Sequence, residues 1–415
     1  GRALLLSPLM RYLIVRGRLV VIDSAGHSHA YGPDHRPSCI IKLHRRAIDF
    51  RIAVNPSLAI PEAYLEGDLT IESGSLYDFL EFMAQNLAAV GPSHLMRLRE
   101  RVGYLSRRFM QYNPVALARR HAAHHYDLTG ELYELFLDPD RQYSCGYFMD
   151  PKEDLRISQL NKKQHIAAKL LLKSGQKVLD IGSGWGGLAV YLAEVEDVDV
   201  TGLTLSHEQH KVAERRARDR GLGEQVRFHL RDYRQEYGEY DRIVSVGMFE
   251  HVGVPYYGAY FGAVRDRLKL DGVALVHTIG RADGPGVTNP FIRKYIFPGG
   301  YIPALSEVIP AIESVGLYIT DVEVLRLHYA ETLRAWRAKF LTNRDSAVNL
   351  YDERFCRMWE YYLAASEVSF RYLGLVVFQI QLAKRQDAVP LTRDYIDHYH
   401  REGLNVRTNS HKNFG

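Results

Sequence analysis

The feature that most constrains this chain is the stretch Val178–Ala193, VLDIGSGWGGLAVYLA, which joins an apolar strand, a glycine-rich turn and the start of a helix. Further strand-like runs follow it, namely VDVTGLTL, QVRFHLRD, YDRIVSVG and GVALVHTIG, and helical runs such as SHEQHKVAERRARDRG separate them. This alternation is typical of βαβ units around a parallel sheet. We therefore expect an α/β fold that binds its ligands at the carboxyl ends of the strands.

The 415 residues are enough for two domains with full cores. We predict a small α+β domain over residues 1–125, because β-rich runs such as RLVVID, CIIKLHRR and AIDFRIAV precede the helical run SLYDFLEFMAQNLAAV. Residues 126–390 are assigned to the α/β domain and residues 391–415 to a C-terminal tail. A polar and aromatic insertion, Arg281 to Asn343, is expected to form a helical cap over one edge of the sheet.

Composition excludes several classes of protein. The formal net charge is only +4, so no global field recruits nucleic acid. Cys39, Cys145 and Cys356 lie far apart and without ligand spacing, which argues against a metal site or a disulfide framework and favours the cytosol. The apolar N-terminal run is broken by a proline and two arginines, so it is too short and too charged to span a bilayer.

A basic connector occupies HLMRLRERVGYLSRRFMQYNPVALARRHAAHH, residues 94–125. Its arginines alternate with apolar residues, and they are Arg97, Arg99, Arg101, Arg107, Arg108, Arg119 and Arg120. One interpretation is a solvated linker that the arginines keep soluble. The other is a surface attracted to anionic lipid, worth about 1 kcal/mol per well-placed arginine.

The glycine turn by itself fits two kinds of cofactor. Gly182, Gly184 and Gly187 satisfy the dinucleotide pattern G-x-G-x-x-G. A dinucleotide site also needs an acid at the end of the second strand, where this chain has Thr204 and Ser206. The dehydrogenase interpretation therefore lacks its main support.

Asp180 lies two residues before the first glycine, and the turn contains no lysine or arginine that could neutralise a phosphate. A carboxylate without basic neighbours suits a cationic ligand, and S-adenosylmethionine meets that requirement. The alternative is that Asp180 only ties down the loop by hydrogen bonds, and the two roles are compatible.

The motifs YSCGYF, VLDIGSGWGGLA, VTGLTLSHEQ, DRIVSVGMFEHVG, HTIG, NPFIRKYIFPGGYIP and HYAETLRAW occur in the order and approximate spacing seen in cyclopropane-fatty-acyl-phospholipid synthases. The chain resembles that family, and the mycolic acid cyclopropane synthases, over residues 126–385. The resemblance implies a class I, Rossmann-like methyltransferase domain with a helical cap over residues 126–390. The motif AYLEGDL makes the first domain similar to the lipid-binding part of the phospholipid-acting branch.

The resemblance further implies transfer of a methylene group from S-adenosylmethionine to the cis double bond of an unsaturated phospholipid acyl chain. It implies a cytoplasmic protein in peripheral contact with the inner face of the membrane, and a homodimer. One alternative keeps the cofactor but gives a methyl-branched or methylene-bearing chain. Another is a non-catalytic lipid-binding protein that retains the cofactor turn.

The family pattern also assigns residues to the two ligands. Those expected to bind S-adenosylmethionine are Tyr143, Ser144, Asp180, Gly182, Ser183, Gly184, Trp185, Gly186, Thr204, Leu205, Ser206, Gln209 and Tyr233. Those expected to hold a bicarbonate ion, the general base of the family, are Cys145, Glu250, His277, Ile279 and Tyr329. No metal is expected.

Each catalytic assignment has a role and an alternative. Glu250 would accept the bicarbonate hydroxyl proton, His277 and Tyr329 would donate, and Cys145 and Ile279 would contribute backbone groups. Glu250 comes after the fourth strand and His277 lies on the fifth, so both are expected at strand carboxyl ends, where they can converge on one pocket. The structural alternatives are an inert thiol for Cys145, a core histidine for His277 and a helix N-cap for Glu250.

Tyr233 has an alternative interpretation, and Ser366 departs from the family pattern. Tyr233 could equally be an aromatic residue of the core. Ser366 stands where many relatives have a cysteine, which argues against an obligatory thiol intermediate at that position.

Overall fold

The computed structural model describes residues 4–91 and 128–412, so the predictions on the arginine-rich connector lie outside the described residues. Contacts divide the chain into two compact units. The first contains residues 1–107, 286–298 and 333–375, and the second contains 108–285, 299–332 and 376–415. These units are built from interleaved segments, whereas the predicted division at residues 125 and 390 uses continuous ones and stays a proposal.

The first unit contains a four-stranded sheet of order β2-β1-β3-β4. Its strands are β1 (Leu19–Ile22), β2 (Ser28–Tyr31), β3 (Cys39–Leu43) and β4 (Leu69–Ser73). Its helices before the connector are α1 (Ser7–Leu13), α2 (Arg46–Val54), α3 (Pro56–Glu66) and α4 (Leu76–Val90). The prediction of an α+β domain is consistent with this unit, and the helix predicted for SLYDFLEFMAQNLAAV is α4.

The strand prediction for AIDFRIAV was wrong, because these residues belong to α2. Ile48 and Ile52 are four residues apart and both are buried, which is helical spacing. Asp49 lies between them, and its carboxylate accepts from the backbone amides of Leu5 and Leu6 at 2.8 Å. A buried acid whose partners are 43 and 44 residues away gives no signal in the local sequence.

The second unit contains a seven-stranded sheet of order β10-β11-β9-β8-β5-β6-β7. Its strands are β5 (Lys177–Ile181), β6 (Asp199–Thr204), β7 (Val226–Leu230), β8 (Tyr240–Val246), β9 (Leu268–Arg281), β10 (Tyr318–Val324) and β11 (Leu375–Ala383). Strands β5 to β9 pair in parallel, and β10 pairs antiparallel to β11. The predicted Rossmann-like, largely parallel sheet is confirmed by this strand order and pairing.

Helices cover both faces of this sheet. They include α5 (Gly130–Glu134), α6 (Leu155–Leu170), α7 (Gly187–Glu196), α8 (His207–Asp219), α9 (Tyr257–Arg267) and α10 (Leu305–Ser314). Val178 and Leu179 are neighbours on β5, and they pack into two different buried clusters. Because successive strand residues point to opposite faces, both faces of the central strand are buried, which explains its continuous apolar sequence.

The cap predicted for Arg281 to Asn343 is only partly present. The segment holds α10 and all of α11 (His328–Thr342), but residues Tyr318–Val324 form β10, the edge strand of the sheet. Helices α12 (Arg344–Leu350) and α13 (Glu353–Tyr372) lie between α11 and β11, and α14 (Asp394–Lys412) follows β11.

The predicted C-terminal tail contains a packed helix. On α14, Tyr395 accepts from Gln381 at 2.9 Å, and His400 bonds to His165 at 2.8 Å. Both partners lie in the second unit. Within the described residues, no helix is both long enough and apolar enough to cross a membrane.

Candidate active site

Three loops of the second unit meet at the carboxyl ends of β5, β8 and β9. A Cβ atom placed on Gly182 would lie 2.8 Å from the Cβ of Met248, so the turn after β5 contacts the loop after β8. The amide of Gly247 donates to the carbonyl of His277 at 2.9 Å. A Cβ on Gly247 would be 4.0 Å from the Cβ of Ser144, which brings in the segment before α6.

The glycine turn has two different environments. Gly184 and Gly186 both have a left-handed backbone, with φ of +56° and +84°. A Cβ on Gly186 would meet Ala213 and Phe228 at 2.8 Å, whereas no described atom lies within 4 Å of one on Gly184. Gly186 therefore serves the packing of the fold, and Gly184 leaves open space beside the backbone where a ligand can approach.

Asp180 is the buried acid of this turn. It is 2% exposed, and its Oδ2 atom has no hydrogen-bond partner among the residues that the structure describes. Burial raises the pKa of Asp180 to about 7, and the charge of Lys162 opposes that rise. A buried carboxylate with a vacant acceptor is a suitable partner for a cationic ligand.

Lys162 is a functional candidate that the sequence did not reveal. Its ammonium donates to Gln142 Oε1 and to Ser144 Oγ, both at 2.7 Å. Burial lowers the pKa of Lys162 to about 8. The positive charge of Lys162 also lowers the pKa of Cys145, against the effect of burial, and the pKa of His277, in addition to the effect of burial. Lys162 lies on α6 among other buried polar residues. In a sequence, such a run of polar residues is typical of a solvent-exposed helix face, so it gave no sign of burial.

The residues predicted to lie near the ribose are bonded to one another. Thr204 Oγ1 and Gln209 Oε1 are 3.0 Å apart. Ser206 is the N-cap of α8 and its hydroxyl accepts from the amide of Gln209, while Leu205 is half-buried. Glu208, the nearest acid of this helix, accepts from the amide of Gly130 at 3.0 Å. The end of β6 thus carries amide and hydroxyl groups, and its nearest acid is bonded to Gly130.

Three aromatic residues predicted to bind the cofactor take part in packing. Trp185 is 4% exposed and contacts the ring of Tyr133 edge-on at 5.6 Å. Tyr143 also meets Tyr133 edge-on at 5.5 Å and is half-buried. Tyr233 contacts Tyr260 at 5.2 Å, and burial raises its pKa. These ring contacts stabilise the loops around the site.

Glu250 contacts β9 at Ile279, two residues beyond His277 on the same strand. Glu250 Oε1 accepts from the amide of Ile279 at 2.7 Å. Its Oε2 atom is buried and has no partner within the described part of the chain. Burial raises the pKa of Glu250 to about 7, against the lowering effect of the Ile279 amide. Burial lowers the pKa of His277 to about 3, so the imidazole is neutral.

Cys145 and Tyr329 lie on segments that are bonded to each other. The amide of Gly146 donates to Thr332 Oγ1 at 2.9 Å, and the amide of Phe148 donates to His328 Nδ1 at 3.0 Å. These bonds fix the first turn of α11, which carries Tyr329, against the segment that carries Cys145. Burial raises the pKa of the Cys145 thiol, so the thiol stays protonated.

Two serines singled out in the sequence, Ser183 and Ser366, lie in different units. Ser183 is buried and its hydroxyl donates to the carbonyl of Leu203 at 3.2 Å. Ser366 lies half-buried on α13 in the first unit. The described residues contain no group of histidine, cysteine, aspartate and glutamate side chains able to hold a metal ion.

Comparisons with known proteins give a consistent result. A family model described as mycolic acid cyclopropane synthetase matches residues 116–380. The cyclopropane-fatty-acyl-phospholipid synthase of Escherichia coli is 36% identical over 334 residues, covering 80% of this chain and 85% of that protein. The tuberculostearic acid methyltransferase of Mycobacterium tuberculosis is 34% identical over 396 residues, covering 92% of this chain and 91% of that protein.

Among solved structures, a mycolic acid cyclopropane synthase complexed with SAH and CTAB is similar to this chain with a TM-score of 0.61 and 32% identity. The match covers 66% of this chain and 99% of that one.

Proposed function

Because the chain belongs to the mycolic acid cyclopropane synthetase family and is an S-adenosylmethionine-dependent methyltransferase, we propose that it cyclopropanates unsaturated phospholipid acyl chains. The observation that carries the proposal is Glu250, a buried carboxylate with one oxygen bonded to Ile279 and the other without a partner among the described residues. Such a group can orient a second, small acid–base species in an apolar pocket.

The cofactor side of the site fits a cationic methyl donor. Asp180 offers a buried acceptor, and the backbone at Gly184 leaves room for close approach. We assign the other residues predicted to bind S-adenosylmethionine to the surroundings of this cofactor site. SAH in the related cyclopropane synthase supports the assignment, because it is the product left when S-adenosylmethionine gives up its methyl group.

The reaction itself sets three requirements. The S–CH₃ bond breaks as the methyl carbon bonds to one alkene carbon, and positive charge develops on the other. A proton then leaves the methyl group, and the second C–C bond closes the ring. The site must therefore position the donor, tolerate a cation and provide a base that does not itself take the methyl group.

The residues present fit a bicarbonate ion as that base. Bound bicarbonate would supply a weakly nucleophilic oxyanion that takes the proton. We assign the free oxygen of Glu250 to accept its hydroxyl hydrogen, and His277 and Tyr329 to donate hydrogen bonds. Cys145 and Ile279 would contribute backbone groups. Because the Cys145 thiol stays protonated, it does not compete for the methyl group. Because the His277 imidazole is neutral, it does not act as an acid toward the anion.

For the substrate, we propose phospholipid in the membrane, reached by peripheral contact from the cytoplasm. The match to the Escherichia coli enzyme over 80% of this chain supports this choice, because it extends into the first unit. Exposed Leu5, Phe50 and Val54 of that unit offer apolar contact. We keep the predicted homodimer, and the lipid-binding role of residues 1–125, as parts of this proposal.

A second candidate function is transfer of an intact methyl group to give a branched chain. The match to the tuberculostearic acid methyltransferase over 92% of this chain favours it. Both reactions share the first C–C bond and differ in which proton is lost.

The product distinguishes these functions. Purified protein with S-adenosylmethionine, bicarbonate and vesicles of cis-unsaturated phospholipid is expected to give acyl chains heavier by one CH₂. NMR of the product should show ring methylene protons. A methyl-branch signal would instead support the second function, and no mass gain with any unsaturated lipid would contradict both.

The two glycines of the turn provide a test of the cofactor site. Gly184→Ala places a methyl group in open space, at a backbone strain of about 1–2 kcal/mol. We expect this variant to fold but to bind S-adenosylmethionine at least about tenfold more weakly, by calorimetry. Gly186→Ala adds the same strain and forces overlap with Ala213 and Phe228, so its main effect should be a loss of stability. Full binding by Gly184→Ala would contradict the placement of the cofactor.

A further inference from the structure

We propose that Gln379 and Lys169 are positioning residues that hold His277 as the tautomer with its hydrogen on Nε2. This inference rests on the proposed function, because it assigns His277 a fixed donor role toward the anion in the site. The evidence is a line of buried side chains on the Nδ1 side of the imidazole, which the sequence analysis did not identify.

The line begins at the imidazole. Gln379 Nε2 and His277 Nδ1 are 3.0 Å apart, and Gln379 Oε1 accepts from Lys169 Nζ at 2.8 Å. Gln379 is 1% exposed and His277 is 2% exposed. Water therefore has little access to these bonds, and each polar atom depends on the partner that the protein supplies.

The charge of Lys169 determines which way the amide of Gln379 points. An ammonium group can only donate hydrogen bonds, so the amide atom that faces Lys169 must be the oxygen. The amide nitrogen then faces His277, and because it also can only donate, Nδ1 must present its lone pair. The single hydrogen of the neutral imidazole is consequently on Nε2.

An ion pair with Glu323 favours the charged form of Lys169. Its side chain is fully buried, which alone lowers its pKa, but Glu323 opposes this effect through an ion pair and a hydrogen bond. Asp321 lies 4.0 Å from the same ammonium. His165 Nε2 bonds to Glu323 at 2.6 Å, so the carboxylate is fixed on a second side.

The arrangement has a consequence for the reaction. An imidazole with a permanent Nε2 hydrogen can donate to an oxyanion at all times. Burial, reinforced by the positive charges of Lys162 and Lys169, keeps the ring from gaining a second proton. His277 therefore binds the anion without protonating it, which preserves the anion's ability to accept a proton from the substrate.

The test inverts the amide's hydrogen-bonding sense without changing its shape. Gln379→Glu replaces the donor by a carboxylate oxygen, so His277 Nδ1 must carry hydrogen. The matched control is Gln381→Glu. Gln381 is also buried and lies two residues further along the same strand, but it donates to the carbonyl of Lys169 and to Tyr395.

The primary readout is ¹⁵N NMR of histidine-labelled protein, with the His277 signal identified by its loss in His277→Gln. We expect the Nε2–H tautomer in the wild type and in Gln381→Glu, and hydrogen on Nδ1 in Gln379→Glu. If Gln379→Glu does not fold, Lys169→Met serves instead, since it frees the amide to turn and should give both tautomers. An unchanged His277 signal in these variants would overturn the inference.

The second readout is the rate of lipid alkylation. Loss of one oxyanion donor is expected to lower kcat by about 10²-fold or more in Gln379→Glu, with Kd for S-adenosylmethionine unchanged. Tautomer inversion with unchanged kcat would overturn the inference while the proposed function stands. If the tautomer inverts in Gln379→Glu but the wild-type protein alkylates no lipid, the positioning of His277 is supported and the proposed function is refuted.

Discussion

Glu250→Gln is expected to lower kcat for lipid alkylation by roughly 10²–10⁴-fold, the range for loss of an acid–base group. Glutamine has the shape of glutamate and can still accept from the amide of Ile279. Its NH₂ group replaces the oxygen that has no partner among the described residues, and it cannot accept a hydrogen bond. The variant should therefore lose orientation of the base and keep the fold.

The matched control is Glu236→Gln. Glu236 is also buried, but its oxygens are occupied by Tyr240 at 2.9 Å and Arg231 at 2.7 Å. We expect Glu236→Gln to lower the free energy of unfolding and leave kcat within about threefold, because a satisfied ion pair is broken far from the proton transfer. Comparable kcat values for Glu250→Gln and the wild type would contradict the role given to Glu250.

Asp180→Asn is expected to weaken S-adenosylmethionine binding and to stabilise the unliganded protein. A hydrogen bond to a charged group contributes about 1.5–3 kcal/mol, so Kd should rise about 10- to 100-fold. Without the ligand, a buried carboxylate that lacks a partner opposes folding, and its replacement by a neutral amide removes that penalty.

The sign of the pH dependence follows from the direction of the shift. The pKa of Asp180 is raised to about 7 in the folded protein, from 3.8. The folded state therefore binds more protons than the unfolded state between these values, and stability is lost as the pH rises through about 7. The advantage of Asp180→Asn in Tm should be larger at pH 8 than at pH 5.

Thermal unfolding at both pH values and calorimetry with S-adenosylmethionine check this prediction. Asp138→Asn is the control, because Asp138 is buried but accepts from the amides of Gln142 and Asp140. That variant should be less stable than the wild type. An Asp180→Asn protein that binds the ligand normally, or that is destabilised at pH 8, would contradict the account.

The sequence predicted those parts of the site that depend on neighbouring strands. Glu250 follows β8 and Ile279 lies near the end of β9, and because these strands pair in parallel the contact between the two residues follows from topology. It did not predict Lys162, Lys169 or Gln379. Charged and amide side chains on α6 and β11 are buried only because partners distant in sequence satisfy them, and local patterns carry no record of such partners.

The same limit explains the errors in the fold. Residues Arg46–Val54 combine β-branched residues with helical spacing, and the packing of Ile48 and Ile52 determines that they form a helix. Residues Tyr318–Val324 lie in a polar region, yet pairing with β11 makes them an edge strand. In both cases tertiary contacts override a weak local preference.

The central claim is that a proton leaves the transferred methyl group and the ring then closes. S-adenosylmethionine with a fully deuterated methyl group tests it directly, with cis-unsaturated phospholipid vesicles as substrate. The account predicts a product that has gained one carbon carrying two deuterium atoms, with NMR placing that carbon in a three-membered ring. A product that retains all three deuterium atoms would contradict it.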